Sequence, residues 1–341
     1  MALGAFSHAS PRRAPGSRRT MPTGLRAPKA CRQVLEPIEQ GCVMTIDEVR
    51  AAVGAALATT LSPRPEARVH GGSINECYRW ETAAGPIFVK VAAAGAIAML
   101  EAEAAGLAEL SRTGAVRVPR VLGVGTRDLP WLALEWVIFH GSAAAADAIL
   151  GRQLAVLHRV TADSFGWDRD NTIGSTRQHN ERSRDWIEFF RERRLRFQLD
   201  LAAASGYGGR LGSSGSVLLE HIEDLFGNFR PVPSLLHGDL WSGNRGSDER
   251  GRPVLFDPAV YYGDRVADLA MTRLFGGFAP EFQAAYEAEW PLEDGAQRRV
   301  PLYNLYHVLN HLNLFGAGYL ARAESMIEGL LEDLGYGPPR Q

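Results

Sequence analysis

The chain has 341 residues, of which 45% are hydrophobic and 22% charged, an ordinary globular composition in a chain long enough for two lobes. The net charge of −2 does not favour nucleic acid as a partner, and no apolar run approaches the ~18 residues of a membrane span, so we expect a soluble protein with no membrane partner. Its three cysteines, Cys31, Cys42 and Cys77, form no CxxC pair, which argues against a zinc site and indicates a reducing compartment.

The first 43 residues form a basic extension, with seven basic and two acidic side chains among Ser, Pro, Ala and Gly. This bias is typical of an organellar transit peptide, but also of a disordered extension or of a start site upstream of the true one at Met44. We expect a cytoplasmic protein, or a plastid or mitochondrial one if the segment is a real transit peptide. Whether the segment is translated or cleaved stays open.

The next elements are a helix and a β-hairpin. An Ala-rich apolar pattern predicts a helix over residues 46–61, and we expect Ser62-Pro63 to end it because a proline restricts the residue before it. Strand-like runs at residues 77–82 and 87–91, joined by an Ala-Ala-Gly-Pro turn, predict an antiparallel hairpin.

A glycine-rich loop precedes this hairpin. Adjacent glycines let backbone amides approach a phosphate closely, although such a loop alone is more often a simple turn. Its position one strand before Lys90 favours a loop that covers ATP. The predicted ATP-binding residues of this loop are Gly71, Gly72, Ser73 and Asn75.

Lys90 follows an apolar run and is expected to lie on a rigid strand. The helix predicted over residues 97–110 offers Glu101 and Glu103 as partners that would hold the ammonium group against the phosphates of ATP. Both acids flank the apolar side of the helix, so periodicity does not decide between them.

A buried strand is predicted at residues 131–137, and its end would be the hinge between two lobes. Main-chain groups of Glu135, Trp136 and Val137 are expected to bind adenine. The rest of the chain is mainly helical, with helices predicted at residues 144–158, 183–204, 216–226, 280–286 and 298–319. We therefore place the small lobe at residues 44–137 and the large lobe at residues 138–341.

Two sets of polar residues have structural interpretations. Seven arginines and three aromatic residues occur in residues 177–196, but the acidic residues among them favour a solvated amphipathic helix over a phosphate or nucleic-acid surface. His158 and His307 fall on apolar helices, and we expect them to be hydrogen-bonded core histidines.

The strongest chemical signal is the sequence HGDLWSGN at residues 237–244, followed by FDP at residues 256–258. An Asp, an Asn five positions later and a second Asp after a short strand is the order in which kinase-like enzymes place a base and two metal ligands. Asp239 is the predicted base, while Asn244 and Asp257 offer the oxygen ligands that Mg²⁺ prefers. The predicted cofactors are ATP and Mg²⁺.

Trp241, two residues after the predicted base, has two interpretations. It presents a flat apolar surface on which the less polar face of a sugar could stack, or it packs between lobes. The sequence leaves both open.

The chain resembles the fructosamine kinases, also called ketosamine-3-kinases, in the aminoglycoside-phosphotransferase-like branch of the kinase fold. The resemblance extends over residues 70–319. It depends on GGSIN at 71–75, LAVLH at 154–158, FGW at 165–167, NTIGS at 171–175, the HGDLWSGN and FDPA motifs, DLAM at 268–271, LFGGF at 274–278 and YNLYH at 303–307.

This resemblance implies a bilobal α+β, protein-kinase-like fold, with a small antiparallel sheet plus helix and a larger, mainly helical lobe. It implies an ATP-dependent kinase acting on the 3-hydroxyl of fructosamines or ribulosamines, the adducts of sugars with amines or proteins, whose 3-phosphates then decompose and so deglycate the amine. By position, Asp239 corresponds to the proton acceptor, Asn244 and Asp257 to the Mg²⁺ ligands, and Lys90 with Glu103 to the phosphate-positioning pair.

Two positions depart from the family pattern. Ser73 stands where members often have a redox-sensitive cysteine, and Val266 where they commonly have glutamate. Cys77 is expected to be a buried core thiol.

Two other functions remain open. A small-molecule kinase of the aminoglycoside or choline type would share this fold. An ATP-binding pseudokinase would be expected if the base or a metal ligand were missing. Asp239, Asn244, Asp257 and Lys90 are all present, so we expect turnover. The physiological amine, the choice between ribulosamine and fructosamine, and the oligomeric state stay undetermined.

Overall fold

The structure, a computed structural model, describes residues 45–62, 67–69, 75–140 and 144–336. Its N-terminal part is an antiparallel sheet with two helices and its C-terminal part is mainly helical, as the predicted bilobal α+β fold requires. The basic segment 1–43 and the predicted phosphate-loop residues Gly71, Gly72 and Ser73 lie outside the described residues.

The small lobe is built on a five-stranded sheet in the order β1-β2-β3-β5-β4, in which all neighbours are antiparallel. Its strands are β1 Ala67–Arg68, β2 Glu76–Thr82, β3 Gly85–Val91, β4 Val121–Val124 and β5 Trp131–Glu135. The predicted hairpin is confirmed as β2 and β3. Strand β5 ends two residues earlier than predicted, because its ladder with β3 stops where Glu135 pairs with Ile87.

Helix α1, Ile46–Ala56, packs Val49 and Val53 against buried residues of β2, β3 and β5 and begins with a capping box between Thr45 and Glu48. It ends five residues before the predicted Leu61, so the prediction that Ser62-Pro63 ends it is wrong. The chain turns at Ala58, whose φ of +49° is left-handed, and Leu61 then pairs with Thr82 of β2. An extended return to the sheet therefore replaces the last helical turn.

Helix α2, Ile97–Arg112, connects the two lobes. Its buried face, which includes Leu107, belongs to the same hydrophobic cluster as the large-lobe helices. A Cβ atom on Gly106 would lie 3.2 Å from a methyl group of Val260, and Tyr262 donates a 2.7 Å hydrogen bond to Glu109. The helix that carries Glu103 is therefore fixed directly to the large lobe.

The large lobe contains eight α-helices in its described residues, and the predicted bounds of the first, α3, are confirmed. They are α3 Ala144–His158, α4 Trp186–Phe190, α5 Phe197–Ala202, α6 Gly209–His221, α7 Val266–Leu274, α8 Pro280–Glu289, α9 Ala296–Phe315 and α10 Leu320–Leu334. The predicted helix 183–204 begins later, at Trp186, because the Asp185 side chain caps it, and π-helical turns interrupt it. Helix α6 begins seven residues before the predicted start, and helices α7 and α10 were not predicted.

No described helix combines the length and apolar character that crossing a membrane would require.

We propose the boundary between lobes at Val137, as predicted. Its support is that β5 ends at Glu135, while His140 already pairs with Ser247 of the large lobe.

The described part of the large lobe also has three strand pairs, and the loops that connect two of them hold Asp239, Asn244 and Asp257. They are β6 Asn171–Ile173 with β7 Thr176–Gln178, β8 Ser234–Leu236 with β11 Tyr261–Gly263, and β9 Arg245–Ser247 with β10 Pro253–Leu255. The loop from β8 to β9 holds residues 237–244 and meets the segment from β10 to β11, residues 256–260. At this meeting Gly238 has φ +82°, and a Cβ atom there would lie 2.0 Å from the Ala259 carbonyl oxygen, so only glycine fits.

Candidate active site

Asp239 lies in the loop that leaves β8 and is partly buried. Asn244 Nδ2 donates to its Oδ2 atom and to its main-chain oxygen, each at 2.9 Å. Burial raises the pKa of Asp239 to about 7, and the negative charges of Asp257 and Asp268 raise it as well. The hydrogen bond from Asn244 lowers the pKa but does not outweigh these effects. A carboxyl group with a pKa near neutrality suits a general base.

Lys90 on β3 lies between two carboxylates. Its Nζ atom is 2.7 Å from Glu103 Oε1 and 2.6 Å from Asp257 Oδ1. Burial opposes the ammonium charge, but these carboxylates outweigh it and raise the pKa of Lys90, which stays a cation. Glu101 is exposed on the same helix, so of the two predicted partners the structure brings Glu103 to the lysine.

Asn244 and Asp257 each keep an oxygen atom available for a metal ion. Across the described residues, no hydrogen bond engages Asn244 Oδ1 or Asp257 Oδ2. No group of three or more His, Cys, Asp or Glu side chains that could hold a metal occurs in these residues. Mg²⁺ commonly takes only one or two protein ligands and completes its octahedron with phosphate and water, so this pair fits it.

Asp268 on α7 holds the start of the loop that carries Asp239. Its Oδ2 and Oδ1 atoms accept the main-chain N–H groups of His237 at 2.7 Å and of Gly238 at 2.9 Å. Burial raises its pKa, but hydrogen bonding and charge from His158 outweigh burial and lower it. Sequence reasoning gave this aspartate no role, although an acid on an otherwise apolar segment is a usable signal.

The two core histidines differ. His158 has partners on both ring nitrogens, Tyr286 Oη at 2.8 Å and Asp268 Oδ2 at 3.2 Å, which confirms the structural prediction for this residue. His307 is also buried, but its Nδ1 atom has no hydrogen-bond partner in the described part of the chain, so the prediction that it is satisfied is wrong. Burial lowers the pKa of His307 to about 3, and its imidazole is therefore neutral.

Trp241 belongs to an aromatic cluster on the large lobe beside Asp239. The residue is 37% exposed, and its ring meets Phe275 edge-on at 6.3 Å between ring centres. Phe275 lies 5.1 Å from the ring of His311, which is 5.4 Å from Phe315. No ring contact joins Trp241 to the described part of the small lobe, so the geometry favours an accessible surface over packing between lobes.

The predicted hinge is only partly free to bind a base. The N–H group of Glu135 donates at 2.9 Å to the carbonyl of Arg120, the residue before β4, so of its main-chain groups the N–H is not free to bind adenine. The Glu135 carboxylate accepts a 2.7 Å hydrogen bond from Arg117. In the described ranges the main-chain N–H groups of Trp136 and Val137 have no partner, and their role in adenine binding stays a prediction.

Asn75, the described member of the predicted phosphate loop, lies in a bend directly before β2. Its carbonyl oxygen is 3.7 Å from Cys77 Sγ. Cys77 pairs across the sheet with Lys90, and burial raises the pKa of its thiol to about 11. It is therefore a neutral core thiol, as predicted.

Sequence comparisons connect this site to known kinases. The model of the family described as fructosamine kinase matches residues 45–333. A probable ketoamine kinase of Synechocystis sp. is 43% identical over 267 residues, which cover 77% of this chain and 89% of that protein. A chloroplastic protein-ribulosamine 3-kinase of Arabidopsis thaliana is 43% identical over 272 residues, which cover 78% of this chain and 82% of that protein.

Solved structures show the same architecture. A crystal structure from Thermobifida fusca assigned as a fructosamine-3-kinase has a TM-score of 0.77 and 33% identity, covering 84% of this chain and 100% of that one. An aminoglycoside phosphotransferase, APH(4)-Ia, has a TM-score of 0.54 and 14% identity over 85% of this chain and 100% of that one, which shows a shared fold. The predicted kinase-like fold is confirmed.

Proposed function

The chain belongs to the fructosamine kinase family and is an ATP-dependent phosphotransferase, and we propose that it phosphorylates the 3-hydroxyl of a ketosamine. The acceptor is a fructosamine or ribulosamine adduct on an amine or a protein, and decomposition of the 3-phosphate would release the amine. The observation that carries phosphoryl transfer is the meeting of Asp239, Asn244, Asp257 and the Lys90–Glu103 pair at one point between the lobes, and the family match over residues 45–333 supports a ketosamine as the acceptor.

In this mechanism Asp239 accepts the proton of the attacking hydroxyl and orients its oxygen towards the γ-phosphate. Lys90, held by Glu103, positions the phosphates of ATP. Asn244 and Asp257 would hold Mg²⁺, which supplies positive charge to the phosphate oxygens during transfer. Asp268 keeps the loop of Asp239 in place through its two main-chain hydrogen bonds.

The exposed ring of Trp241 is the proposed surface for the sugar of the acceptor. Aromatic rings at binding sites bury large apolar areas at little cost in side-chain entropy. The ring lies two residues from Asp239 and is supported at its edge by Phe275, so a stacked sugar would have its hydroxyl groups near the base.

A panel of acceptors tests this function. The purified protein is incubated with ATP, Mg²⁺ and ribulosamines, fructosamines or aminoglycosides, and NMR then locates the phosphate. Phosphate on the 3-hydroxyl of a ketosamine is the expected result, and transfer to an aminoglycoside alone would contradict the proposal.

The pH dependence of transfer should follow Asp239. Because only the ionised carboxylate accepts a proton, and its pKa is about 7, kcat/KM should fall about tenfold for each pH unit well below 7 and be level above it. The measurement is an initial-rate profile from pH 5.5 to 9 at saturating Mg²⁺, with circular dichroism to verify folding at each pH. A level profile down to pH 5.5 would contradict Asp239 as the base.

A further inference from the structure

The loop between α7 and α8, residues 275–279, forms the outer side of the aromatic cluster beside Asp239. Phe275 begins this 275–279 loop and contacts Trp241. The proposed function assigns the exposed face of Trp241 to the acceptor. Whatever holds this loop therefore also sets the shape of the acceptor side of the site.

Arg245, the residue after Asn244, holds the loop from within the catalytic segment. It donates to both carboxylate oxygens of Asp147 on α3, with Nη2 at 3.2 Å from Oδ2, and also to the carbonyl oxygen of Gly277. Its guanidinium carbon lies 4.2 Å from the centre of the Phe278 ring. One side chain thus joins the metal-ligand segment, helix α3 and the 275–279 loop.

Asp147 also binds the 275–279 loop directly. Its Oδ2 atom also accepts the main-chain N–H of Ala279 at 2.6 Å. The Arg245 side chain is 7% exposed and that of Asp147 is 3% exposed. Removing either partner would take an opposite charge away from the other at a buried site, so this ion pair does not open and close at low cost.

The same loop also packs closely against the catalytic segment, at Gly277. Gly277 has φ +92°, and a Cβ atom there would lie 2.6 Å from Ser242 Cβ. Ser242 directly follows Trp241. The loop is therefore held on one side by the ion pair and is in contact on the other with the residue that follows the exposed ring.

We propose that Arg245 and Asp147 are positioning residues that fix the acceptor side of the site. They hold the 275–279 loop so that Phe275 supports Trp241 at the distance and angle which acceptor binding requires. This inference rests on the proposed function only in placing the acceptor at Trp241. In the described part of the chain, no hydrogen bond, ion pair or ring contact joins either residue to Lys90 or Glu103, so weakening the pair should reduce acceptor binding and leave ATP binding intact.

Two neighbouring glycines provide the first test. Gly276 and Gly277 both have positive φ, +71° and +92°, so an alanine at either position carries a similar backbone strain, about 1–2 kcal/mol. Only the Cβ atom at Gly277 meets Ser242, whereas a Cβ atom at Gly276 meets nothing within 4 Å. We expect Gly277→Ala to raise KM for the acceptor about tenfold or more with KM for ATP unchanged within twofold, and Gly276→Ala to change neither by more than threefold.

The ion pair provides the second test. Arg245→Met should raise the acceptor KM as Gly277→Ala does, and Arg245→Lys should recover part of the loss because it keeps the charge without the planar fork. Arg299→Met is the matched control, since Arg299 pairs with Asp264 at 3.0 Å and both are almost fully buried. Arg299→Met should lower the melting temperature about as much as Arg245→Met does and leave the acceptor KM unchanged.

Each KM is measured with whichever acceptor the wild-type protein phosphorylates. Failure of the proposed function then appears in the wild-type acceptor panel, and failure of the positioning role appears only among the variants. Equal acceptor KM values for Gly276→Ala and Gly277→Ala, or an unchanged acceptor KM in Arg245→Met, would overturn the inference.

Discussion

Replacing Asp239 by asparagine is expected to lower kcat for phosphoryl transfer by about 10²–10⁴-fold, the usual contribution of a positioned general base. The amide is nearly isosteric with the carboxyl group, and its oxygen can still accept the 2.9 Å hydrogen bond from Asn244 Nδ2. The loss should therefore come from proton transfer alone, with KM for ATP changed by less than about threefold. Steady-state kinetics with a ketosamine acceptor measure it.

The same substitution should stabilise the folded protein at high pH. The pKa of the Asp239 carboxyl group is about 7 in the folded protein and about 4 in the unfolded chain. The folded state therefore binds this proton more tightly. As the pH rises from 4 to 7, ionisation of Asp239 lowers the free energy of unfolding. Asparagine has no such cost. We expect Asp239→Asn to be more stable by about 1–3 kcal/mol at pH 8, with the difference vanishing near pH 4.

Asp248 offers a matched control with the opposite sign. It lies in the turn between β9 and β10, where hydrogen bonds from Arg252 and Arg250 outweigh burial and lower its pKa to about 2. Asp248→Asn should therefore keep kcat and lose stability at neutral pH. Retained wild-type kcat in Asp239→Asn would contradict its assignment as the base, whatever the stability result.

The identity of the catalytic groups could be predicted from the chain because their order is local. Asp239 and Asn244 are five residues apart in one loop, and Asp257 follows a short apolar strand that the structure confirms as β10. Alternating and helical patterns likewise predicted the β2–β3 hairpin and helix α3. In each case, residues close in sequence determine the element.

The contacts that organise the site could not be predicted, because they join residues far apart in the chain. Lys90 and Asp257 are 167 residues apart and meet at 2.6 Å, and Asp268 reaches back 31 residues to His237. Helix α7 was missed since a short, almost wholly buried helix has no polar face to mark its period. Ile87 of β3 and Arg120, which precedes β4, set the end of β5, a tertiary effect that no hydrophobic run of residues 131–137 reveals.

Replacing Lys90 by methionine is expected to lower kcat/KM for ATP by about 10²–10³-fold, the usual loss for one electrostatic contact to a developing charge. The buried ammonium is 2.7 Å from Glu103, so its removal should also destabilise the protein by about 3–5 kcal/mol, because it leaves a carboxylate buried without a partner. Two causes of lost activity would then be mixed in a single variant, a missing phosphate contact and a distorted small lobe.

The double variant Lys90→Met/Glu103→Gln separates these two causes. It removes both charges of the buried pair, while Asp257, whose side chain is 45% exposed, is accommodated by solvent. We expect it to recover most of the lost stability, with a coupling free energy of about 1–3 kcal/mol between the two sites, and to stay as inactive as Lys90→Met. Glu101→Gln, at the exposed acid on the same helix, should match the wild type in both measurements. Recovery of activity in the double variant would show that Lys90 serves the fold and does not position the phosphates of ATP.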